Sequence, residues 1–252
     1  MAATVISIAL QKGGVGKTST ALCLSNTLGF KHRKVLLIDF DSQCNTTYSS
    51  GVDDPRLTIT DVLSGYCAPE EAVIECKYYD LLAADEYLSN VERSDKIEPT
   101  LLKDSVQPLL DSYDYIIIDT PPALGNLLFN ALVFSDHVII PTEPRPYELQ
   151  GMGALYNTIQ SVREINHKLN ILGILLIKHN NRSNLNRQIT DMLYEWADQM
   201  NTTIFNTTIR NGIALPESQS IRVPLIDHAK NSKPNIDYKA FTTELLNKLE
   251  RQ

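Results

Sequence analysis

The sequence predicts an α/β fold: one domain on a doubly wound, mostly parallel sheet with helices on both faces. Three observations lead there: short apolar runs rich in β-branched residues, longer stretches of helical spacing between them, and a glycine loop directly behind the first run. Each run is apolar without a break rather than alternating, which marks strands buried on both faces and therefore a parallel sheet. The βαβα alternation gives the doubly wound arrangement, in which ligands sit beyond the carboxyl ends of the strands.

In chain order, residues 4–10 (TVISIAL) form the first predicted strand, and residues 18–28 follow as a helix that Gly29 is expected to stop. Residues 35–39 (VLLID) are the second strand; residues 101–110 read as helix and 115–119 (YIIID) as strand. Then come a helix over 127–134, a strand over 137–141 (HVIIP), a helix over 149–165 and a strand over 171–177 (ILGILLI). Helical spacing returns over 185–200 and 238–249. No repeat, low-complexity tract or Pro/Gly/Ser linker interrupts the series, so one domain is expected over residues 1–252.

Composition narrows the function classes. The chain is 43% hydrophobic and 21% charged, as ordinary globular proteins are, and its 23 Lys+Arg against 30 Asp+Glu leave a net charge of -7. That excludes a protein that holds nucleic acid by bulk charge; any such binding needs a local patch. Cys23, Cys44, Cys67 and Cys76 form no C-x-x-C pair and no metal-type spacing with histidine, so reduced thiols are expected. No apolar run approaches the ~18 residues of a membrane span, and the first run ends at Leu10 without a signal-peptide cleavage pattern. A cytoplasmic protein is therefore expected. No Ser-His-Asp ordering competes as a catalytic device among the five histidines.

The loop behind the first strand reads Lys12-Gly13-Gly14-Val15-Gly16-Lys17-Thr18-Ser19 and opens a helix. Strand, glycine loop and helix are the context a phosphate cradle needs. Glycines let backbone amides turn inward, the helix N-terminus adds its positive end, Lys17 supplies a point charge, and Thr18 offers a hydroxyl to Mg²⁺. A nucleotide site follows over this loop.

The usual phosphate-loop pattern would place glycine where this chain has Gln11, and here Lys12 precedes the glycine pair. The string KGGVGKT resembles the deviant Walker A motif of the ParA/MinD ATPases. The resemblance implies that residues 12–19 are the ATP-binding set. It also implies that Lys12 is the signature lysine, reaching across a nucleotide-sandwich homodimer to the phosphates held by the other subunit, while Lys17 serves the phosphates held by its own loop. Residues 35–47 (VLLIDFDSQCNTT) look like the family's first switch, LLIDLDPQGNAT, with Ser42 for its proline and Cys44 for its glycine. By that likeness Asp41 orients the attacking water and Asp39 stands near the metal. Plain strand-end capping remains the alternative for both. The third apolar strand ends in Asp119-Thr120-Pro121-Pro122, similar to the family's IDxPP, which implies a Walker B Asp119 holding Mg²⁺ through water. Metal contacts are thus expected from Thr18, Asp39 and Asp119, and catalysis from Lys12, Lys17 and Asp41.

The second half carries weaker signals. Residues 209–217 (IRNGIALPE) look like the family stretch that forms part of the adenine pocket, which makes Arg210 and Asn211 candidate base contacts; a plain surface loop is the alternative. Residues 39–119 hold 18 acidic and 5 basic side chains, whereas residues 178–233 hold 7 basic and 5 acidic. ParA-type members bind duplex DNA without sequence preference as ATP-loaded dimers through this half, so Arg182, Arg210 and Arg222 are candidate DNA contacts. Where many relatives carry glycine-lysine before a proline, this chain has Arg222-Val223-Pro224. A solvated mixed-charge face is the bland reading of the same residues.

As a whole the resemblance implies a partition ATPase that uses ATP and Mg²⁺, associates with the nucleoid when ATP-bound, and works with a ParB-like centromere-binding partner to segregate a plasmid or chromosome. A form without a helix-turn-helix extension before the Walker A lysine is expected. The rival is a MinD-like membrane-cycling or protein-cargo ATPase. A membrane form needs a basic amphipathic C-terminal helix. Here Phe241, Leu245, Leu246 and Leu249 make an apolar stripe, but Glu244 and Glu250 offset Lys248 and Arg251, so the helix is expected to pack on the core. An iron-sulfur relative would need a cysteine just after the Walker B motif, and none stands there.

Overall fold

A computed structural model describes residues 2–94, 97–145, 148–178 and 184–251. The strands are β1 (Thr4–Ile8), β2 (Val35–Asp39), β3 (Val73–Glu75), β4 (Asp80–Leu82), β5 (Tyr115–Asp119), β6 (His137–Thr142) and β7 (Asn170–Leu176). They form a seven-stranded sheet in the order β3-β4-β2-β5-β1-β6-β7, parallel throughout except for the antiparallel edge pair β3 and β4. The helices are α1 (Lys17–Phe30), α2 (Asn45–Ser49), α3 (Ile59–Leu63), α4 (Leu88–Arg93), α5 (Leu101–Val106), α6 (Asn126–Phe134), α7 (Glu148–Arg163), α8 (Asn184–Gln199), α9 (Ala214–Ser220), α10 (Leu225–His228) and α11 (Lys233–Leu249).

The five expected strands are present. β3 and β4 are additional, and with three residues each, in an acidic stretch, they are too short to show a period. The expected doubly wound class holds: one apolar cluster packs α1 and α11 on one face, and a second packs α3, α5 and α6 residues on the other. A third joins β6 and β7 to α7 and α8. The helix expected over 101–110 divides, with α5 ending at Val106 and a 3₁₀ turn over Gln107–Leu109. Pro108 cannot donate the amide that a continuing α-helix requires.

Gly29 does not stop α1, which runs through it to Phe30 before His32 turns the chain with a left-handed φ of 62°. Its glycine answers a different need. A Cβ at position 29 would lie 1.7 Å from the carbonyl oxygen of Tyr78. Backbone meets helix there, and neither side can yield by rotating a side chain. Gly29→Ala is expected to lose about 1–3 kcal/mol of stability through overpacking, read as a lower urea midpoint at unchanged slope; an unchanged midpoint would contradict the close approach.

The closing helix behaves as its stripe predicts. Tyr238, Phe241 and Leu245 are buried in the cluster that holds α1, with Leu246 and Leu249 packed against it. The apolar face that a membrane form would expose is turned into the core. No helix among the described residues is long and apolar enough to cross a membrane.

Candidate active site

Three strand ends meet at one level of the sheet. Ile8 of β1 is in register with Asp119 of β5, and Asp39 of β2 is in register with the same Asp119. The glycine loop that leaves β1 therefore passes beside two carboxylates that lie far from it in sequence. Gly14 and Gly16 take left-handed φ values of 77° and 74°, as a loop that turns its amides inward requires.

Lys17 is buried, and its Nζ donates to the Lys12 carbonyl at 2.6 Å. Thr18 Oγ1 donates to Asp119 Oδ2 at 2.7 Å, which joins the first residue pair expected at the metal. A second hydroxyl, Thr46 Oγ1, donates to the same oxygen at 2.7 Å. Asp39 Oδ2 accepts from the Thr47 amide at 2.8 Å and from Thr47 Oγ1 at 2.7 Å, while Oδ1 accepts from the Asp41 amide at 3.3 Å. Asp41 Oδ1 accepts from the Gln43 amide at 3.0 Å. Asp39 is thus bonded within the second-strand turn, and it is Asp119 that touches the phosphate-loop helix.

Asp39 and Asp119 are fully buried, and desolvation holds both above the usual carboxylate range; Asp119 adds its repulsion at Asp39, and at Asp119 the Thr18 and Thr46 hydroxyls work the other way. Asp119 Oδ1 is buried without a hydrogen-bond partner. An orphaned carboxylate oxygen beside a threonine hydroxyl suits a hard cation that keeps most of its own water, as Mg²⁺ does with one or two carboxylates and a phosphate. A cage of three or more His, Cys, Asp or Glu side chains is absent among the described residues, and Mg²⁺ does not need one.

A cleft of about 720 Å³ opens on this arrangement, within the size range of nucleotide pockets. Gly13, Gly14, Gly16, Lys17, Thr18, Ser19, Asp41, Arg210 and Asn211 all line it, so most of the expected ATP-binding set converges. Val15 does not: its side chain is buried in the apolar cluster under α7, which leaves only its backbone to serve a ligand. Lys12 is half-buried and lies outside the lining. Pro122, Tyr48, Lys178, Gln219 and Tyr238 complete walls that the sequence did not assign. Thr46 and Thr47 were likewise unassigned; the available signal was a pair of hydroxyls five and six residues after Asp41.

The described basic candidates are engaged within the chain. Arg210, although it lines the cleft, bonds Asp237 through Nε and Nη2 at 2.9 and 2.7 Å. Arg222 stacks over the Tyr48 ring at 3.9 Å and pairs with Asp53. Lys178 bonds Glu143 at 2.6 Å. The modest positive balance of residues 178–233 is to this extent neutralised by the chain's own acids. Arg182 lies outside the described residues. The cysteines are free, and burial is the first cause that pushes each thiol up, Cys44 and Cys76 to about 11, so none is an activated nucleophile.

Comparison with known proteins identifies relatives over nearly the whole chain. A family described as an AAA domain matches residues 3–171. The chromosome partitioning protein ParA of Myxococcus xanthus is 34% identical over 251 residues, covering 96% of this chain and 87% of that protein. A plasmid partition protein of Borrelia burgdorferi bound to AMPPNP has a TM-score of 0.76 at 28% identity, covering 100% of this chain and 99% of that one. Cobyrinic acid a,c-diamide synthase of Mycobacterium smegmatis, with an ATP analogue and magnesium bound, has a TM-score of 0.83 at 28% identity, covering 98% of this chain and 96% of that one.

Proposed function

The chain belongs to the ParA family of partition proteins, and from that premise we propose that it is a Mg²⁺-dependent partition ATPase. The carrying observation is Thr18 joined to Asp119, with one Asp119 oxygen left over, at the phosphate-loop end of a nucleotide-sized cleft. Lys17 and the amides of residues 13–19 hold the phosphates. Thr18 and Asp119 hold the Mg²⁺, and Asp39 orders the turn beside it. When bound, the ion neutralises phosphate charge that develops during transfer. Asp41 orients the water, and its contact with the Gln43 amide fixes the carboxylate for that task. Arg210 and Asn211 flank the base.

Lys12 serves the other copy of a nucleotide-sandwich homodimer, a role in keeping with its place outside its own cleft. The ATP-loaded dimer binds duplex DNA without sequence preference, associates with the nucleoid, and hydrolyses ATP when a ParB-like centromere-binding partner stimulates it. Arg182, Arg210 and Arg222 are the proposed DNA contacts. The last two must exchange a carboxylate of this chain for a phosphate. The buried stripe of α11 favours this reading over a membrane-cycling one.

Fluorescence anisotropy of a random-sequence duplex, with Mg-ATP or Mg-ADP at two salt concentrations, tests the proposal. Binding that requires ATP and weakens steeply with salt is the expected result. No binding in either nucleotide, by a protein that still dimerises on ATP, would replace DNA with a protein cargo.

A further inference from the structure

Arg222 lies at an unusual point of the backbone. Its φ is 56°, a left-handed value that side-chain-bearing residues rarely adopt. The residue closes the turn after α9, where its amide bonds the Gln219 carbonyl at 3.2 Å. Its guanidinium covers the Tyr48 ring, and Nη1 meets Asp53 Oδ1 at 2.5 Å. Although it is a surface residue, its side chain is 27% exposed, against 70% for Asp53. Ile221 and Val223, on either side, are both exposed. A basic side chain between two exposed apolar ones is thus folded back onto its own molecule.

What Arg222 is folded onto is the segment most closely tied to the cleft. Tyr48 lines the cleft, and the first turn of α2 is pinned to the two buried carboxylates, Thr46 to Asp119 and Thr47 to Asp39. The turn holding Arg222 has its own tie to the phosphate-loop helix, because Gln219 Nε2 donates to Ser19 Oγ at 3.1 Å. A shift of α2 relative to α1 therefore changes what Arg222 faces. Asp53 cannot hold it strongly, since an exposed ion pair is weak and salt-screened.

We propose that Arg222 is a stowed polyanion contact: Tyr48 and Asp53 hold it against α2, and displacement of α2 by nucleotide turns it over to a DNA phosphate. This rests on the DNA-binding reading above and adds its regulation. The latch works by competition, an exposed carboxylate and a ring face against a phosphate. Releasing it raises affinity in the nucleotide state that otherwise binds weakly.

The test compares duplex affinity, in Mg-ADP and in Mg-ATP, for wild type, Asp53→Asn, Tyr48→Leu and Arg222→Gly. Asp54→Asn, an exposed neighbour with the same change of charge, is the electrostatic control. Asp53→Asn and Tyr48→Leu are expected to tighten ADP-state binding about 2- to 5-fold, the scale of one weak ion pair or cation–π contact. Asp54→Asn should change it less than about 2-fold. Arg222→Gly, which suits the left-handed backbone, should weaken ATP-state binding and lower the salt slope by about 1. Unchanged ADP-state affinity in both latch variants, with wild type binding duplex in ATP, overturns the latch. If wild type binds duplex in neither state, the DNA reading fails, and phenylglyoxal modification of Arg222 read by peptide mass spectrometry decides the latch alone. Faster modification in Asp53→Asn and with Mg-ATP supports it; equal rates overturn it.

Discussion

Lys17→Ala is expected to weaken ATP binding about 100-fold or more while leaving the fold intact. Lys17 is the one buried cation among the described residues, and it stands among the buried carboxylates Asp39, Asp41 and Asp119. Its charge helps hold Asp119 ionised, since it opposes the burial that pushes that carboxyl up. Removing it deletes the point charge meant for the phosphates and leaves acidic groups to repel them. Truncating one partner of a buried charge pair removes about 2–5 kcal/mol, and each 1.4 kcal/mol is tenfold in affinity. Isothermal titration with ATP, with urea denaturation to confirm folding, gives the answer. ATP affinity within about threefold of wild type would discard the phosphate-loop assignment.

Asp41→Ala is expected to bind ATP nearly as well as wild type and to hydrolyse it about 10²–10⁴-fold more slowly, the range for loss of a group that positions or deprotonates the nucleophile. The same change deprives the Gln43 amide of its acceptor, so a slow enzyme could reflect a displaced loop. Asp41→Asn separates the two effects, because its amide oxygen still accepts from Gln43 but carries no charge. Single-turnover kinetics of both variants should show equal slowing. Recovery in the asparagine variant would make Asp41 an organiser of the loop instead, and wild-type rates in both would remove it from the chemistry.

The parts of the fold legible in the sequence were those with a period or a punctuation mark. Five strands were unbroken apolar runs, and the glycine loop followed the first of them. β3 and β4 lack the length to show a pattern, and α2 and α10 are five and four residues long. Gly29 was read as a stop because glycine's local meaning is a break; its actual reason is the Tyr78 carbonyl, a contact nearly fifty residues away that no local rule contains. In the site, residue types that act through backbone or charge were legible. The partners were not: that Thr46 shares an Asp119 oxygen with Thr18, or that Arg210 turns to Asp237, depends on tertiary placement. Cys44, which stands where the family motif has glycine, takes a left-handed φ of 55°, and Arg222, in the stretch where many relatives carry glycine-lysine, takes 56°. Both are backbone values that glycine adopts more readily than a residue with a side chain.

The register that sets Ile8 and Asp39 beside Asp119 has a consequence for the order of events in the life of the chain. The site draws on three stretches separated by about thirty and eighty residues, and parallel pairing brings them together only after long loops have closed. A slip of one residue between β2 and β5 would turn the Asp39 side chain to the opposite face of the sheet. Nucleotide is therefore recognised by the finished sheet rather than by any one loop. A ligand gripping all three strand ends acts as a seal on the completed assembly.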